Sequence, residues 1–168
     1  MEIMRKILLI CISIFCLVGC DYSSKNIAKD KLKDQPVHAY LGGNLKLVYA
    51  ENSGGLLSLG NELPNKLKLV IFKILVALVM CLLFIYLVYK KAIRKGTFVA
   101  LLLILSGGLG NLIDRITNDG KVVDFMIMSL FNFHTGIFNI ADVYVTTGVI
   151  ILILSEVVIR KNFKIITS

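Results

Sequence analysis

Two aspartates in apolar surroundings are the residues of this sequence best suited to acid–base chemistry. Asp124 lies in the segment Val122-Val-Asp-Phe125, and Asp142 follows Asn139 by three residues at the start of a long apolar stretch. Two carboxyl groups held close together cannot both ionise at low cost, so they share a proton. One can act as general base on a water molecule while the other polarises a carbonyl group, and burial would raise the pKa as such a pair needs. Asp124 and Asp142 are therefore the predicted catalytic pair.

Charged and amide side chains at the ends of two other apolar stretches are further candidates. Asp21 and Lys25 have the spacing i, i+4, so a continuing helix places them on one face. Asn111, Asp114 and Arg115 have the spacing i, i+3, i+4, again on one face. Such groups cost at least a few kcal/mol in a membrane unless they face a bundle interior, which makes each a functional candidate. Asp114 is expected to be ion-paired beside Arg115 and structural, and an exposed helix pair is the alternative for Asp21 with Lys25.

Four apolar stretches are the elements that must position these groups. The chain is 57% hydrophobic and 18% charged, with a mean hydropathy of +0.80, which is too apolar for an ordinary water-soluble domain. A helix needs roughly 20 apolar residues to cross a bilayer. We predict an all-α membrane protein, a four-transmembrane-helix bundle that forms a single domain over residues 1–168. The predicted spans cover about residues 7–25, 69–89, 97–113 and 137–159.

Basic residues indicate the orientation of these spans. Four crossings put Arg5 and Lys6, the cluster from Lys90 to Lys95 and the cluster from Arg160 to Lys164 on one side. Each side carries nine Lys and Arg, but on this side they are packed into three short segments, so the positive-inside rule makes it cytoplasmic. Both termini are then cytoplasmic. The loops at about 26–68 and 114–136, and with them every candidate above, lie at the outer face.

The first outer loop has two predicted elements. Leu41 to Tyr49 alternates between apolar and polar residues between glycine pairs, which predicts a short strand in a small sheet on the outer membrane surface. The segment from Ser58 to Lys68 contains Pro64 and predicts a short interfacial helix before the second span. Asp124 is expected in the loop between the third and fourth spans.

Charge and cysteine usage exclude other function classes. The net charge is +8, but the basic residues flank apolar runs and form no aromatic-interleaved face, so no nucleic-acid partner is expected. His38 and His134 stand alone, and no Ser–His or Cys–His pairing is evident. No metal site or disulfide is predicted, because the cysteines lie in apolar runs without zinc-site spacing: Cys11, Cys16, Cys20 and Cys81.

Five sequence blocks resemble the prolipoprotein signal peptidase (signal peptidase II) family, along essentially the whole chain. Any one block is weak evidence, but five in this order between four apolar stretches are highly specific. The blocks are Asp21-Tyr-Ser-Ser-Lys25, Asn52-Ser-Gly54, Gly107-Gly-Leu-Gly-Asn-Leu-Ile-Asp-Arg115, Val123-Asp-Phe125 and Phe138-Asn-Ile-Ala-Asp142.

The resemblance implies an intramembrane aspartic endopeptidase of the bacterial inner membrane, a four-helix bundle with a small periplasmic sheet. It implies a dyad at Asp124 and Asp142 and a substrate that is a diacylglyceryl-modified prolipoprotein, cut just before its lipidated cysteine. It implies no metal or organic cofactor, contact with membrane lipids, a monomer, and inhibition by globomycin-like peptides that occupy the dyad. The residues that would bind substrate or support the dyad are Asp21, Lys25, Asn52, Gly54, Asn111, Asp114, Arg115 and Asn139.

Two positions depart from the family pattern. The Asn52-Ser-Gly54 block usually continues to an aromatic residue, whereas this chain has Leu56-Leu57-Ser58. Contacts from that loop to substrate or inhibitor are expected to differ. Tyr22 replaces the glutamine that commonly follows the first aspartate.

Two other functions fit parts of the sequence. Leu17-Val-Gly-Cys20 after a basic N-terminus and an apolar run resembles a lipobox, so the chain could itself be a lipoprotein precursor, although three further spans argue against that role. A small proton-coupled transporter would also place acids in spans. It would need a polar path to the cytoplasmic side, where the spans are apolar apart from Glu156.

Overall fold

The structure, a computed structural model, describes residues 2–55, 58–131 and 133–166, with side chains at 2, 130 and 156–166 left out. Leu56, Leu57 and the side chains of Glu156 and of the basic cluster at 160–164 therefore lie outside the described part. Four long helices and four short strands are present in it. The helices are α1 (Glu2–Leu32), α2 (Asn65–Tyr89), α3 (Lys95–Thr117) and α4 (Ile140–Ile166), and the strands are β1 (His38–Tyr40), β2 (Leu45–Asn52), β3 (Val122–Leu130) and β4 (Phe133–His134).

The helices have the length and composition of membrane spans. Ile3–Leu32, Asn65–Tyr89 and Lys95–Thr117 are each long and apolar enough to cross a bilayer, and α4 has the shorter apolar section Ile140–Ser155. Large apolar side chains such as Phe15 (79%) and Leu82 (57%) are exposed on the helix surfaces. A water-soluble protein would hide them, whereas lipid tails would cover them. A mostly helical membrane protein is confirmed, and the count of four spans stays a prediction.

Helix α1 is longer than its predicted span. It continues without a break past Lys25 to Leu32, so the first seven residues of the predicted outer loop, 26–32, are helical. The extra turns are stabilised because Ala28 and Leu32 pack on Phe125 of β3 in a small apolar cluster. The end of α1 therefore supports the sheet.

The predicted short interfacial helix at 58–68 is not confirmed as a separate element. Asn65–Lys68 does form a helical turn after Pro64, but it runs directly into the π-helical section Leu69–Leu75 and then into Val76–Tyr89. No glycine or proline after Pro64 interrupts this stretch, so the helix has no reason to end. The turn is the start of α2.

The four strands form one antiparallel sheet in the order β1-β2-β3-β4, which confirms the predicted small sheet. The predicted strand at 41–49 begins only at Leu45, because Leu41–Gly43 forms a 3-10 turn. The expectation that Asp124 lies in a loop is wrong. It lies in β3, where its partner across the ladder is Ala50 of β2. That pairing joins distant parts of the chain, so no local pattern announces it.

Helix α3 is the centre of the bundle and contacts the other three helices. Its contact with α4 is the closest, because glycines let the two backbones approach. A Cβ on Gly107 would clash with the carbonyl oxygen of Ala141, and one on Gly148 would lie 2.6 Å from that of Ala100. This close approach holds the start of α4 beside the end of α3.

The two ends of the bundle differ. At one end, Lys6 at the start of α1 donates a hydrogen bond to the carbonyl of Lys90 after α2, at 2.7 Å. These two predicted basic clusters therefore share an end. The sheet lies at the opposite end, where α1 and α3 finish and α2 and α4 begin.

Adding a methyl group at Gly148 should destabilise the α3–α4 contact. Gly148→Ala would force a backbone carbonyl to move, at a cost of about 1–3 kcal/mol, and should lower the midpoint of thermal unfolding in detergent. Gly19→Ala is the matched control, since nothing lies within 4 Å of its added Cβ. Equal unfolding midpoints for the two variants would show that the close contact at Gly148 does not contribute to stability.

Candidate active site

The predicted site residues converge at the sheet end of the bundle. Five elements supply them, which is why no single stretch of sequence contains the site. Helix α1 contributes Asp21 and Lys25, β2 and its following turn contribute Asn52 and Gly54, the end of α3 contributes Asn111, Asp114 and Arg115, β3 contributes Asp124, and the start of α4 contributes Asn139 and Asp142.

Asn139, which is fully buried, joins the two candidate catalytic aspartates. Its Nδ2 donates to Oδ1 of Asp124 at 2.6 Å. Its Oδ1 accepts from the backbone N–H of Asp142 at 3.0 Å, and its own N–H donates to Oδ2 of Asp142 at 3.1 Å. This is a reciprocal cap at the start of α4, with Asn at the cap and an acid three residues later. The cap explains the Asn139–Asp142 spacing and fixes the Asp142 carboxylate.

Asn111 holds the other oxygen of Asp142. Its Nδ2 donates to Oδ1 of Asp142 at 2.9 Å, and its Oδ1 accepts from Nζ of Lys25 at 3.0 Å. An ammonium group can only donate, so Lys25 requires the amide oxygen of Asn111 to face it. The amide nitrogen is then directed to Asp142, and Lys25 sets the polarity of that hydrogen bond.

Lys25 is itself buried between two further acids. Its Nζ lies 2.7 Å from Oδ2 of Asp21 and 3.1 Å from Oδ2 of Asp114. Asp21 also accepts from the N–H of Ala141 at 2.8 Å, and Asp114 from the N–H of Val123 at 3.0 Å. The alternative of an exposed Asp21–Lys25 pair is wrong, because the two side chains are 1% and 2% exposed. Through these contacts Asp21, Lys25 and Asp114 connect α1, α3, α4 and β3.

Arg115 does not pair with Asp114, as its position next to it had suggested. It is buried and donates to the carbonyl oxygens of Gly54 at 2.6 Å and Asn111 at 3.2 Å. The ion-pair partner of Asp114 is Lys25, because a helix turns adjacent residues to different faces. Arg115 thereby ties the turn after β2 to α3.

That turn orients the second donor to Asp124. Nδ2 of Asn52 donates to Oδ2 of Asp124 at 3.0 Å, while Oδ1 of Asn52 accepts from the N–H of Gly54 at 2.9 Å. A Cβ on Gly54 would lie 2.5 Å from the carbonyl oxygen of Leu59, so only glycine fits this close approach. Both oxygens of Asp124 thus have amide donors.

A small cavity of about 40 Å³ lies between the two aspartates. That is space for a water molecule in contact with polar groups. A larger, mostly apolar groove of about 500 Å³ adjoins it, since Ile137 and Asp142 line both. Three residues that line the small cavity were not predicted from the sequence, because they have no reactive side chain. They are Gly55, Val122 and Ile137.

Burial is the main influence on the acidity of Asp124. It raises the pKa of this carboxyl from an ordinary 3.8 to about 6. The hydrogen bond from Asn52 opposes the rise, the nearby Asp142 adds to it, and the hydrogen bond from Asn139 again opposes it. Asp124 therefore keeps a proton at a pH where an exposed aspartate has lost it.

One pairing was not expected from the sequence. Nδ1 of His134 lies 2.8 Å from Oγ of Ser129. The two residues face each other across the β3–β4 ladder, and only the hairpin brings them together. No acid is bonded to His134 among the described residues, so the pair has no orienting third member and serves to close the hairpin.

Within the described part of the chain there is no group of three or more His, Cys, Asp or Glu that could hold a metal ion. Apolar helices, a small sheet at one end and a pair of carboxyl groups between them, of which Asp124 is buried and Asp142 half-buried, define a membrane protein with a candidate aspartate active site.

Comparison with known proteins identifies the family. The model for "Signal peptidase (SPase) II" matches residues 13–158. A lipoprotein signal peptidase of Borrelia hermsii (strain HS1 / DAH) is 33% identical over 156 residues, which is 90% of this chain and 91% of that protein. One of Streptococcus thermophilus (strain CNRZ 1066) is 37% identical over 151 residues, 90% of this chain and 93% of that protein. The chain belongs to the signal peptidase II family, as the five sequence blocks predicted.

Solved structures agree with this assignment. A bacterial membrane enzyme superposes with a TM-score of 0.77 at 25% identity, over 92% of this chain and 90% of that one. A second has a TM-score of 0.75 at 27% identity, over 88% of this chain and 91% of that one. The fold described above is thus that of known bacterial membrane enzymes.

Removing the buried ammonium of Lys25 should destabilise the protein strongly. Lys25→Met leaves the carboxylates of Asp21 and Asp114 buried without their cation, at a cost of about 3–5 kcal/mol. Lys121→Met is the matched control, because Lys121 pairs with Glu51 on the exposed surface at 2.7 Å, where ion pairs contribute little. Thermal unfolding in detergent should separate the two variants clearly. A Lys25→Met midpoint as high as that of Lys121→Met would contradict this role.

Proposed function

We propose that this chain is an intramembrane aspartic endopeptidase that removes signal peptides from diacylglyceryl-modified prolipoproteins, cutting just before the lipidated cysteine. Its family and its relatives named lipoprotein signal peptidase support a role in lipoprotein processing. The observation that carries the aspartic mechanism is that Asp124 and Asp142 line one water-sized cavity and are both bonded to Asn139. No cofactor is needed for this chemistry.

The two aspartates would divide the work according to their surroundings. Asp124, with its raised pKa, carries the shared proton. Asp142 lies at the start of a helix and accepts two N–H hydrogen bonds there, so we assign it the role of general base. The carboxylate of Asp142 takes a proton from water as the water oxygen attacks the scissile carbonyl carbon, and Asp124 gives its proton to the carbonyl oxygen.

The tetrahedral intermediate then collapses. Asp142 passes its proton to the departing nitrogen, the carbon–nitrogen bond breaks, and Asp124 recovers a proton from the former carbonyl oxygen. The signal peptide leaves with a new carboxyl end, and the lipidated cysteine leaves with a free amine. Both aspartates return to their starting states, so the cycle is balanced without a covalent enzyme intermediate.

The apolar groove of about 500 Å³ beside the dyad suits an apolar substrate segment. Met128, Phe138 and Val143 line it, and Asp142 lies at its junction with the small cavity. A signal peptide in the groove would present its scissile bond to the dyad. Globomycin-like peptides would compete for the same place.

We also propose the orientation in the bacterial inner membrane. Four spans with both termini in the cytoplasm would put the sheet and the dyad near the outer leaflet, and the protein would act as a monomer. The hydrogen bond between Lys6 and the carbonyl of Lys90 supports the orientation, because it brings two basic clusters together at the end opposite the sheet.

The two rival functions fit less well. Cutting before Cys20 would remove 19 residues that include Ile10, a fully buried core residue of the bundle, and would leave Asp21 at a free end. A proton path to the other end would have to cross an apolar cluster that, among the described residues, includes Leu87, Val88 and Leu105. Neither use explains the paired carboxyl groups.

Asp124→Asn and Asp142→Asn should each lower prolipoprotein cleavage by about 1,000-fold or more, since each removes a proton-transfer group of one dyad. The assay uses the full chain in liposomes with a lipidated precursor. Asp30→Asn, an exposed change on α1, is the control and should leave the rate unaltered. Turnover by either dyad variant within a factor of about ten of the control would remove the dyad from the mechanism.

A further inference from the structure

A second cavity, lined by several charged side chains, shares Arg115 with the small cavity at the dyad. Its volume is about 360 Å³. Its walls come from the turn after β2, the start of α2 and the end of α3. The charged residues that line it are Lys68, Lys73, Arg115, Lys121 and Asp119.

Four basic side chains against one acid leave a formal excess of three positive charges around this space. Lys121 is partly neutralised by Glu51 at 2.7 Å, and Nζ of Lys68 donates to Oγ of Ser53 at 3.0 Å. Lys73 has no hydrogen-bond or ion-pair partner within the described residues. The cavity therefore has unused capacity for an anion.

Arg115 adds a buried donor to the wall that this cavity shares with the small one. Its side chain is 7% exposed, and its Nε has no hydrogen-bond acceptor although it is buried. No carboxylate within the described chain forms an ion pair with it. A buried guanidinium N–H without an acceptor is costly unless a bound group supplies the missing oxygen.

The position of the cavity distinguishes between possible anions. Asn65 and Lys68 lie in the first turn of α2, where unpaired N–H groups favour negative charge. Lys73 is roughly 8 Å beyond Lys68 along the helix, inside the stretch that is apolar enough to cross a bilayer. Leu69 and Phe72 supply apolar wall beside these cations. A ligand with a phosphate and apolar tails would satisfy both parts.

We propose that this cavity binds the phosphodiester headgroup of an anionic phospholipid, with its acyl chains along the start of α2. Lys68 and Lys73 hold the phosphate from α2, and Arg115 donates from the interior wall. A lipid site would also explain why basic residues line this cavity. In the proposed orientation they lie at the outer face, where the positive-inside rule disfavours cations. The proposal does not depend on the peptidase chemistry.

The test measures lipid retention by the full chain in neutral detergent, using native mass spectrometry with phosphatidylglycerol, phosphatidylcholine and inorganic phosphate as separate probes. The wild type should prefer phosphatidylglycerol to phosphatidylcholine by about 10-fold or more. The double change Lys68→Gln/Lys73→Gln should remove that preference. The matched control Lys29→Gln/Lys66→Gln removes two exposed lysines that do not line the cavity and should keep it.

Any of the following outcomes would overturn the proposal. Equal loss in the control would indicate diffuse surface charge, and full retention in the double variant would rule out the cavity. Inorganic phosphate binding as tightly as the lipid would make it a site for free phosphate. Lys73→Gln alone, with a smaller expected loss, replaces the double variant if that fails to fold. Asp124→Asn should bind lipid as the wild type does. The lipid proposal can therefore be tested separately from the peptidase proposal.

Discussion

The buried ammonium group of Lys25 is the constraint on which the arrangement of the site depends. It can only donate, and its acceptors are Asp21, Asp114 and the amide oxygen of Asn111. The Asn111 amide nitrogen is consequently directed to Asp142. A group with no part in the proton transfers thus fixes the direction of the hydrogen bonds that reach a catalytic candidate.

The second amide in the site is fixed from the other side. The cap at the start of α4 occupies the oxygen of Asn139, which leaves its nitrogen for Asp124. Because both carboxyl groups receive donors from rigid helix ends, little rearrangement is needed when a water molecule and a substrate arrive. Close packing of α3 on α4 through Gly107 makes this possible by bringing Asn111 near the cap.

Much of the candidate site could be predicted from sequence because acids in apolar stretches have few structural roles. Asp142 was recognisable from its place in an apolar stretch and Asn139 from its spacing to it. The partner of Asp114 was not recognisable, since Lys25 comes from a helix 89 residues away along the chain. Strand β3 was missed for the same reason, because its pairing with β2 joins two separate loops. The full length of α1 was not predicted, because its last turns are rich in charged residues. They are stabilised by apolar contact with Phe125, which is distant in sequence.

Infrared titration of the full chain with ¹³C-labelled aspartate tests the central claim that Asp124 carries the shared proton. One component of the protonated carboxyl band should disappear with a midpoint near the Asp124 pKa of about 6, above the range in which exposed aspartates titrate. This component should be missing in Asp124→Asn and unchanged in Asp30→Asn. An identical titration in Asp124→Asn, or aspartates that are all ionised at pH 5, would contradict the account.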